Sequence, residues 1–190
     1  MPDSSSNADI AAMQRLAAGD DLALNDLMQR WKDKVAAFLL RMTGNSATAL
    51  DLAQETFVKL YQSRARYRPT AAFPSYLFSI ASNLARNHAR WRLRHPTVSM
   101  DDEEGHVPEA VESHPGPDQL LEQHEQMQRV EKALAALPAD LREAMLLFTY
   151  EDMSYAEIAA AVGCTSKAVE TRIYRARQLL RASLDSSQAE

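Results

Sequence analysis

Positive charge is concentrated in one short stretch, GCTSKAVETRIYRARQLLR at 163–181, of a chain whose formal net charge is -5. The charged residues of this stretch are Lys167, Glu170, Arg172, Arg175, Arg177 and Arg181. Cations spaced in this way can neutralise phosphates, while the hydroxyl and amide groups between them can hydrogen-bond base edges. The stretch therefore indicates a nucleic-acid surface, and a solvated basic face on an ordinary helical hairpin is the alternative.

The residues around this stretch predict a helix-turn-helix. Ser154 followed by Glu157 has the spacing of a capping box, and Gly163 is suited to end the short helix that they begin. The next helix has an inward apolar stripe of Val169, Ile173, Ala176 and Leu180. Projection at about 100° per residue places the following side chains on its outer side, with Arg172 at the flank: Lys167, Thr171, Tyr174, Arg175 and Gln178. The second helix of such a motif enters a major groove.

Composition limits the other classes of function. With 46% hydrophobic and 25% charged residues, the chain has the composition of an ordinary globular protein. No apolar run is long enough to span a bilayer and the N-terminus has no secretory signal, so we expect a cytoplasmic protein without membrane insertion. Cys164 is the single cysteine, which excludes an intramolecular disulfide.

The sequence gives no sign of an enzyme. The histidines are scattered without the spacing of metal ligands. There is also no glycine-rich phosphate loop and no nucleophile elbow. We therefore expect no metal, no cofactor and no catalytic residue.

Prolines and acids divide the chain into two helical blocks. Pro96, Pro108, Pro115 and Pro117 lie between 95 and 118, together with an acidic run at 101–104. Prolines at this density cannot continue a helix. We therefore predict an all-α fold of two small helical domains, 1–94 and 119–184, joined by a flexible linker at 95–118. The helix-turn-helix belongs to the second domain, which is expected to have four helices.

Two helices of the first block carry polar surfaces beside their apolar stripes. One begins at about Ala47 and has Leu50, Ala53, Phe57, Leu60 and Tyr61 on one face. The other runs from Pro74, a residue suited to a first helical position, to about 94. Its predicted buried stripe consists of Leu77, Ile80, Ala81, Leu84, His88 and Trp91, opposite Ser75, Ser79, Asn83, Arg86 and Arg90.

Three segments resemble one protein family. LPADLREAMLLFTYEDMSYAEIAAAVGCTSKAVETRIYRARQLLR, residues 137–181, resembles the fourth conserved region of bacterial RNA polymerase sigma factors of the extracytoplasmic-function group. DLAQETFVKLYQ at 51–62 resembles the polymerase-binding helix of their second region, and FPSYLFSIASNLARNHARWRLR at 73–94 resembles the promoter-melting helix that follows. The resemblance implies a sigma factor that binds core RNA polymerase and directs promoter-specific transcription initiation in a stress or envelope response.

The resemblance also implies partners. Asp51, Gln54 and Glu55 would dock on a coiled coil of the largest polymerase subunit, and the polymerase flap, promoter DNA and an anti-sigma factor would be further partners. Asp51 and Glu55 are like charges at i,i+4, which lowers helix stability slightly. An external cationic partner would account for that cost, and two solvated acids would look the same.

Two surfaces would contact the promoter. For the minus-ten element, the resemblance implies the polar face of the helix at 74–94 and the preceding loop at 67–73, which would take a flipped base. The candidates are Tyr67, Phe73, Ser79, Asn83, Arg86, Asn87 and Arg90. For the minus-thirty-five element they are Lys167, Glu170, Thr171, Arg172, Tyr174, Arg175 and Arg177. Ser79 and Ser82 stand where many relatives carry arginine, so affinity for the unpaired strand could be weaker or differently distributed.

The angular positions divide the second set further. Lys167, Thr171 and Arg175 project most directly and are candidates for base edges, and Arg172 and Arg177 are candidates for phosphates. Glu170 would either orient a neighbouring arginine or accept from a cytosine amino group.

Two other functions stay open from the sequence. A free-standing helix-turn-helix regulator would bind DNA without polymerase, but it leaves the first block unexplained. A sigma mimic that titrates an anti-sigma factor would have no need of the arginines at 86–94 and 172–181. For the acids at 101–104, a solvated tether and a phosphate-mimicking segment in a polymerase channel are equally open.

Overall fold

The structure, a computed structural model, describes residues 4–68, 72–95 and 117–186. Its elements are α1 (Ser4–Ala17), α2 (Ala23–Thr43), α3 (Ser46–Ser63), a 3-10 turn (Arg64–Arg66), α4 (Phe73–Arg94), α5 (Pro117–Ala136), α6 (Ala139–Tyr150), α7 (Tyr155–Val162) and α8 (Ser166–Ser186). No strand occurs in these ranges, so the all-α prediction is confirmed. Most of the predicted linker, including 101–104, lies outside the described residues. None of the described helices is long and apolar enough to cross a membrane.

The first domain buries one face each of α2, α3 and α4, with α1 packed on α2. Its fully buried side chains include Leu27 and Leu39 of α2, Leu60 of α3, and Leu77 and Phe78 of α4. The ring of Phe38 stands edge-on to that of Phe78, with centroids 5.3 Å apart. The buried part of α4 ends at Ala85, so the last turns of this helix extend beyond the core.

The second domain places α8 against α5, α6 and α7. Leu146, Leu147 and Ile158 are buried beneath the α8 side chains Val169, Ile173 and Ala176. These three α8 residues were predicted to face inward, and that prediction is confirmed; Leu180 is partly buried against the same core. This packing sets the direction in which the opposite, polar face of α8 points.

Three predicted orientations are wrong. Leu50 is 57% exposed and Trp91 is 51% exposed, although both were placed on buried stripes. Leu50 lies outside the arc that α3 actually buries, and Trp91 lies on the part of α4 that extends beyond the core. Ser75, expected on the polar side, is buried because the first turns of α4 are packed by α1, α2 and α3.

The two domains pack directly on each other. α4 lies against α7, and α2 lies against α5 and α6. We call this interface the interdomain seam. It includes polar contacts, since Arg142 Nη1 of α6 donates to the carbonyl oxygen of Met42 in α2 across 3.1 Å. The desolvated guanidinium of Arg142 has its pKa lowered by burial.

Candidate nucleic-acid interfaces

The helix-turn-helix is fixed at both ends of α7. The Ser154 hydroxyl accepts from the Glu157 amide at 3.3 Å, and the Glu157 carboxylate accepts from the Ser154 amide at 2.8 Å. These reciprocal bonds form the predicted capping box. Gly163 then ends the helix in the left-handed conformation at φ 72°, and its amide donates to the Ala159 carbonyl. The turn therefore sets the angle at which α8 follows α7.

The outer side of α8 is open to solvent. Its exposed residues are Lys167, Glu170, Thr171, Tyr174, Arg175, Arg177 and Gln178. This confirms the predicted outward direction of the face, although not its contacts with DNA. Five of these residues, Lys167, Glu170, Thr171, Tyr174 and Arg177, line a groove of about 360 Å³ together with Ile173 and Tyr155.

Contacts within this face hold several side chains in place. Lys167 Nζ donates to Glu170 Oε2 across 2.9 Å, and Gln178 Nε2 donates to Tyr174 Oη across 2.9 Å. The Thr171 hydroxyl donates to the Lys167 carbonyl, so its remaining capacity is as an acceptor. Glu170 therefore orients a lysine, whereas the sequence suggested an arginine or a base as its partner.

The two flanking arginines, Arg172 and Arg177, differ in how far their charge is already paired within the protein. Arg172 Nε lies 3.5 Å from Asp140 Oδ2, and its Nη1 donates to Cys164 Sγ. The charge of Arg172 is thus already partly paired inside the protein, which weakens its prediction as a phosphate ligand. Arg177 is exposed, with its guanidinium 5.1 Å from the centroid of the Phe148 ring. Stacking of this kind leaves the edge of a guanidinium available for a phosphate.

The polar face of α4 carries two arginine–asparagine pairs. Arg86 Nη2 donates to Asn83 Oδ1, and Arg90 Nη2 donates to Asn87 Oδ1, each at 2.7 Å. Both pairs have i,i+3 spacing, so they lie one above the other on one face. The Ser79 hydroxyl instead donates to the carbonyl of Tyr76 in the preceding turn. The sequence-predicted polar residues of α4 are therefore brought together as a ladder of hydrogen-bonding groups.

Tyr67 and Phe73 do not form an exposed aromatic platform. Tyr67 is 6% exposed and Phe73 is fully buried. Their rings pack against Tyr76 at 5.1 Å and Trp31 at 5.9 Å, respectively. In this arrangement neither ring has a free face for a base, so these residues support the start of α4 from the core. Residues 69–71 of the predicted loop lie outside the described residues.

A groove that sequence reasoning missed lies between α3 and α4. It has a volume of about 380 Å³ and is lined by Lys59, Gln62, Ser63, Arg66, Tyr76, Ile80, Asn83, Leu84 and Asn87. The hydroxyls of Ser63 and Tyr76 are hydrogen-bonded at 2.6 Å on its wall. A mixed apolar and polar lining with a nearby cation is suited to holding a flat heterocycle. Only the packing of α3 on α4 creates it, so no local sequence pattern signals it.

The acidic motif of α3 is exposed. Asp51, Gln54 and Glu55 all face solvent, on the side of α3 away from its buried arc. Glu55 Oε1 lies 3.3 Å from Lys59 Nζ one turn later. An exposed i,i+4 pair of this kind contributes little stability, so it can be exchanged for an external cation at small cost.

Two buried carboxylates in the seam were also missed. Glu143 of α6 pairs with Arg86 at 3.1 Å, and Glu151, just after α6, lies 3.9 Å from Lys34 of α2. Burial raises the pKa of Glu143, with Ser82, Arg86 and Arg172 opposing the shift. Burial also raises the pKa of Glu151 to about 7, against the charges of Lys34 and Arg41. No sequence pattern marks either carboxylate as buried, because their burial depends on the packing of one domain on the other.

Within the described ranges, no group of three His, Cys, Asp or Glu side chains is placed to hold a metal ion. The chemistry available at these surfaces is charge neutralisation, hydrogen bonding and stacking.

Comparison with known proteins gives a family match for each of the two helical blocks. Residues 27–94 match the family model of sigma-70 region 2, and residues 127–180 match that of sigma-70 region 4. The RNA polymerase sigma-H factor of Pseudomonas aeruginosa is 32% identical over 179 residues, which cover 90% of this chain and 91% of that protein. The ECF RNA polymerase sigma-E factor of Escherichia coli is 33% identical over 176 residues, covering 90% of this chain and 92% of the relative.

Two solved structures are similar over most of the chain. CnrH, in complex with the cytosolic domain of CnrY, superposes with a TM-score of 0.70 and 27% identity, covering 94% of this chain and 98% of that one. The sigma factor RpoE of Bartonella quintana, in complex with the anti-sigma factor NepR, superposes with a TM-score of 0.62 and 27% identity. The match covers 85% of this chain and 96% of that one.

Proposed function

Because the chain belongs to the sigma-70 family of RNA polymerase sigma factors, in its extracytoplasmic-function group, we propose that α3, α4 and α8 are its surfaces for core polymerase, the minus-ten element and the minus-thirty-five element. The chain is a sigma factor that directs promoter-specific initiation. The observation that carries this division of roles is the open polar face of α8, in a capped helix-turn-helix, matched by a second polar face on α4.

The α8 face reads the minus-thirty-five element in the major groove. Lys167, Thr171 and Arg175 address base edges, and Arg177 binds a phosphate. Glu170 positions the Lys167 ammonium through their hydrogen bond. Arg172 acts mainly as a support between α8 and Asp140.

The α4 face holds the unpaired minus-ten strand. The pairs of Arg86 with Asn83 and of Arg90 with Asn87 supply cations for the backbone and amides for base edges. The groove between α3 and α4 receives a flipped base, with Tyr76 and Lys59 on its walls. In this proposal 1–94 forms the polymerase-binding and minus-ten domain, and 119–184 forms the minus-thirty-five domain.

The acidic face of α3 docks on core polymerase. Asp51, Gln54 and Glu55 are exposed together, and the seam leaves them uncovered. A coiled coil of the largest subunit with complementary cations is the proposed partner, and the flap is the proposed partner of the second domain. The bond-forming chemistry belongs to the polymerase, so this chain acts in the cytoplasm as a specificity subunit and not as an enzyme.

An anti-sigma factor is a further proposed partner. The support is that CnrH was solved with the cytosolic domain of CnrY, and Bartonella quintana RpoE with the anti-sigma factor NepR. Both superpose on this chain over most of its length.

Binding to core polymerase and DNA together tests the proposal. The chain is mixed with a promoter fragment in the presence and absence of core polymerase, and each complex is separated by gel filtration. We expect retention on core, and stable promoter binding only when core is present. Tight specific binding of DNA without polymerase would favour the free-standing regulator, and retention on core without any promoter binding would favour the sigma mimic.

A further inference from the structure

The promoter-facing helix α4 is partly covered by the second domain. α7 packs on α4, and Arg86 Nη1 donates to Glu143 Oε2 across 3.1 Å and reaches the Val162 carbonyl at 3.5 Å. Arg86 is one of the cations that the proposed function assigns to the minus-ten strand. In the closed arrangement its guanidinium is therefore occupied by a carboxylate of the same chain.

A second carboxylate in the seam, that of Glu151, lies against α2. Only 6% of the Glu151 side chain is exposed, and its Oε2 lies 3.9 Å from Lys34 Nζ. Beside it, the guanidinium of Arg41 lies 4.0 Å from the centroid of the Tyr150 ring. Each acid of the second domain thus faces cations of the first.

We propose that the chain masks its own minus-ten surface through this seam, and that burial of Glu143 and Glu151 makes the closure proton-linked. Falling pH favours the closed arrangement, and rising pH releases α4. The masking rests on the proposed role of α4, whereas the proton linkage concerns the seam alone.

The surroundings of the two acids support this linkage. Glu143 Oε1, Glu151 Oε2 and Ser82 Oγ are buried without a hydrogen-bond partner, although Ser82 lies close enough to Glu143 to lower its pKa. The groups that face the acids are Arg86, Arg172 and Ser82 for Glu143, and Lys34, Arg41 and Asp152 for Glu151. A buried carboxyl group with an incomplete set of hydrogen-bond partners is less stable in its charged form than in its neutral form.

The direction of the pH dependence follows from the pKa shifts of Glu143 and Glu151. Burial raises the pKa of each acid, so the closed state binds protons more tightly than a state in which the acids are exposed. Closure is therefore most favoured below the exposed pKa and weakens as pH rises through the closed pKa, which for Glu151 is about 7. With an exposed pKa of 4.5, Glu151 alone changes the closed-to-open ratio about fourfold between about pH 6.5 and 8.5. Burial and the nearby charge of Arg92 lower the pKa of His88 on α4, so its shift favours the neutral imidazole.

Small-angle scattering of the full chain across this window tests the proposal. We expect the radius of gyration to grow with pH in the parent and in Asp33→Asn, which removes an exposed acid of α2 that does not face Glu143 or Glu151. Glu151→Gln and the double variant Glu143→Gln/Glu151→Gln should stay compact. If the double variant folds poorly, as far-ultraviolet circular dichroism would show, the single variant carries the comparison.

A radius that is constant in the parent, or that grows equally in Glu151→Gln, would overturn the proton linkage. The masking is tested separately, by the affinity of the same proteins with core polymerase for a single-stranded minus-ten oligonucleotide. We expect the compact Gln variant to bind several-fold more weakly than the parent at pH 8.5, and equal binding would overturn the masking. Failure of every protein, the parent included, to bind the oligonucleotide would instead count against the proposed role of α4.

Discussion

On the exposed face of α8, Lys167 Nζ donates a hydrogen bond to Glu170 Oε2 across 2.9 Å. Their side chains are 80% and 51% exposed, so the pair adds little to stability. Its effect is positional, because the acid holds the ammonium at the edge of the surface proposed to enter the major groove. The role of Glu170 is therefore tied to that of Lys167.

Replacing Glu170 by Gln should strengthen binding of promoter sequences in general and relax the preference at the base pair that Lys167 contacts, because Lys167 loses the partner that positions it. The change frees the Lys167 ammonium and removes a negative charge from the DNA-facing side, so the salt dependence should steepen by up to about one unit of slope. Fluorescence anisotropy of the full chain with core polymerase and labelled promoter variants, at several salt concentrations, measures both effects. Asp185→Asn, at the far end of α8, is the matched control. A change confined to one base position would instead assign Glu170 to a cytosine.

Arg175 and Arg177 should respond differently to alanine. Arg175 points outward from the buried stripe of α8, so its loss should cost about 1–3 kcal/mol and relax preference at one base pair. Arg177 lies at the flank over Phe148, and its loss should weaken all sequences alike and lower the salt slope by about one unit. Affinities for a panel of single-base variants separate the two. The reverse outcome would mean that the angular assignment of α8 is inverted.

Charge reversal on α3 should weaken binding to polymerase. In Asp51→Lys/Glu55→Lys the exposed acids become cations, which repel a cationic coiled coil and cost the helix only a few tenths of a kcal/mol. Gel filtration with core polymerase measures retention, and circular dichroism checks helicity. Asp33→Lys reverses an exposed acid on α2 and serves as the control. Parent-like retention of the double variant would remove α3 from the polymerase interface.

Gly163→Ala should destabilise the second domain without any steric clash. The residue has φ 72°, and an added Cβ would meet nothing within 4 Å, so the cost is conformational. We expect a loss of about 1–2 kcal/mol in the free energy of unfolding. Gly163→Asn should lose less, because asparagine tolerates this conformation. Chemical denaturation gives both values, and equal stability of all three proteins would contradict this account of the turn.

The features that could be predicted from the sequence are those that depend on local periodicity. Ser154, Glu157 and Gly163 bound α7 by backbone hydrogen bonds within a few residues, and the stripe at Val169 and Ile173 follows from helical spacing. These determinants lie within one helix and its ends, so the chain order alone is sufficient to find them.

The features that were missed depend on where neighbouring elements begin and end. Trp91 continues the apolar spacing of α4, but it is 51% exposed because it lies beyond Ala85, where the buried part of this helix ends. Tyr67 and Phe73 flank a loop in the sequence and yet point into the core. Glu143 is a helical acid whose burial and pairing with Arg86 arise from the packing of the second domain on α4. Periodicity shows which face of a helix is apolar, but it does not show the extent or the identity of the partner.

Run-off transcription over a library of genomic fragments, with core polymerase and this chain, tests the central claim most directly. The account predicts discrete transcripts that core alone does not make, from fragments that share two upstream elements at a fixed spacing. The same transcripts should be lost with Asp51→Lys/Glu55→Lys and reduced with Arg175→Ala. A transcript pattern identical to that of core alone would contradict the claim, as would new transcripts that are insensitive to both variants.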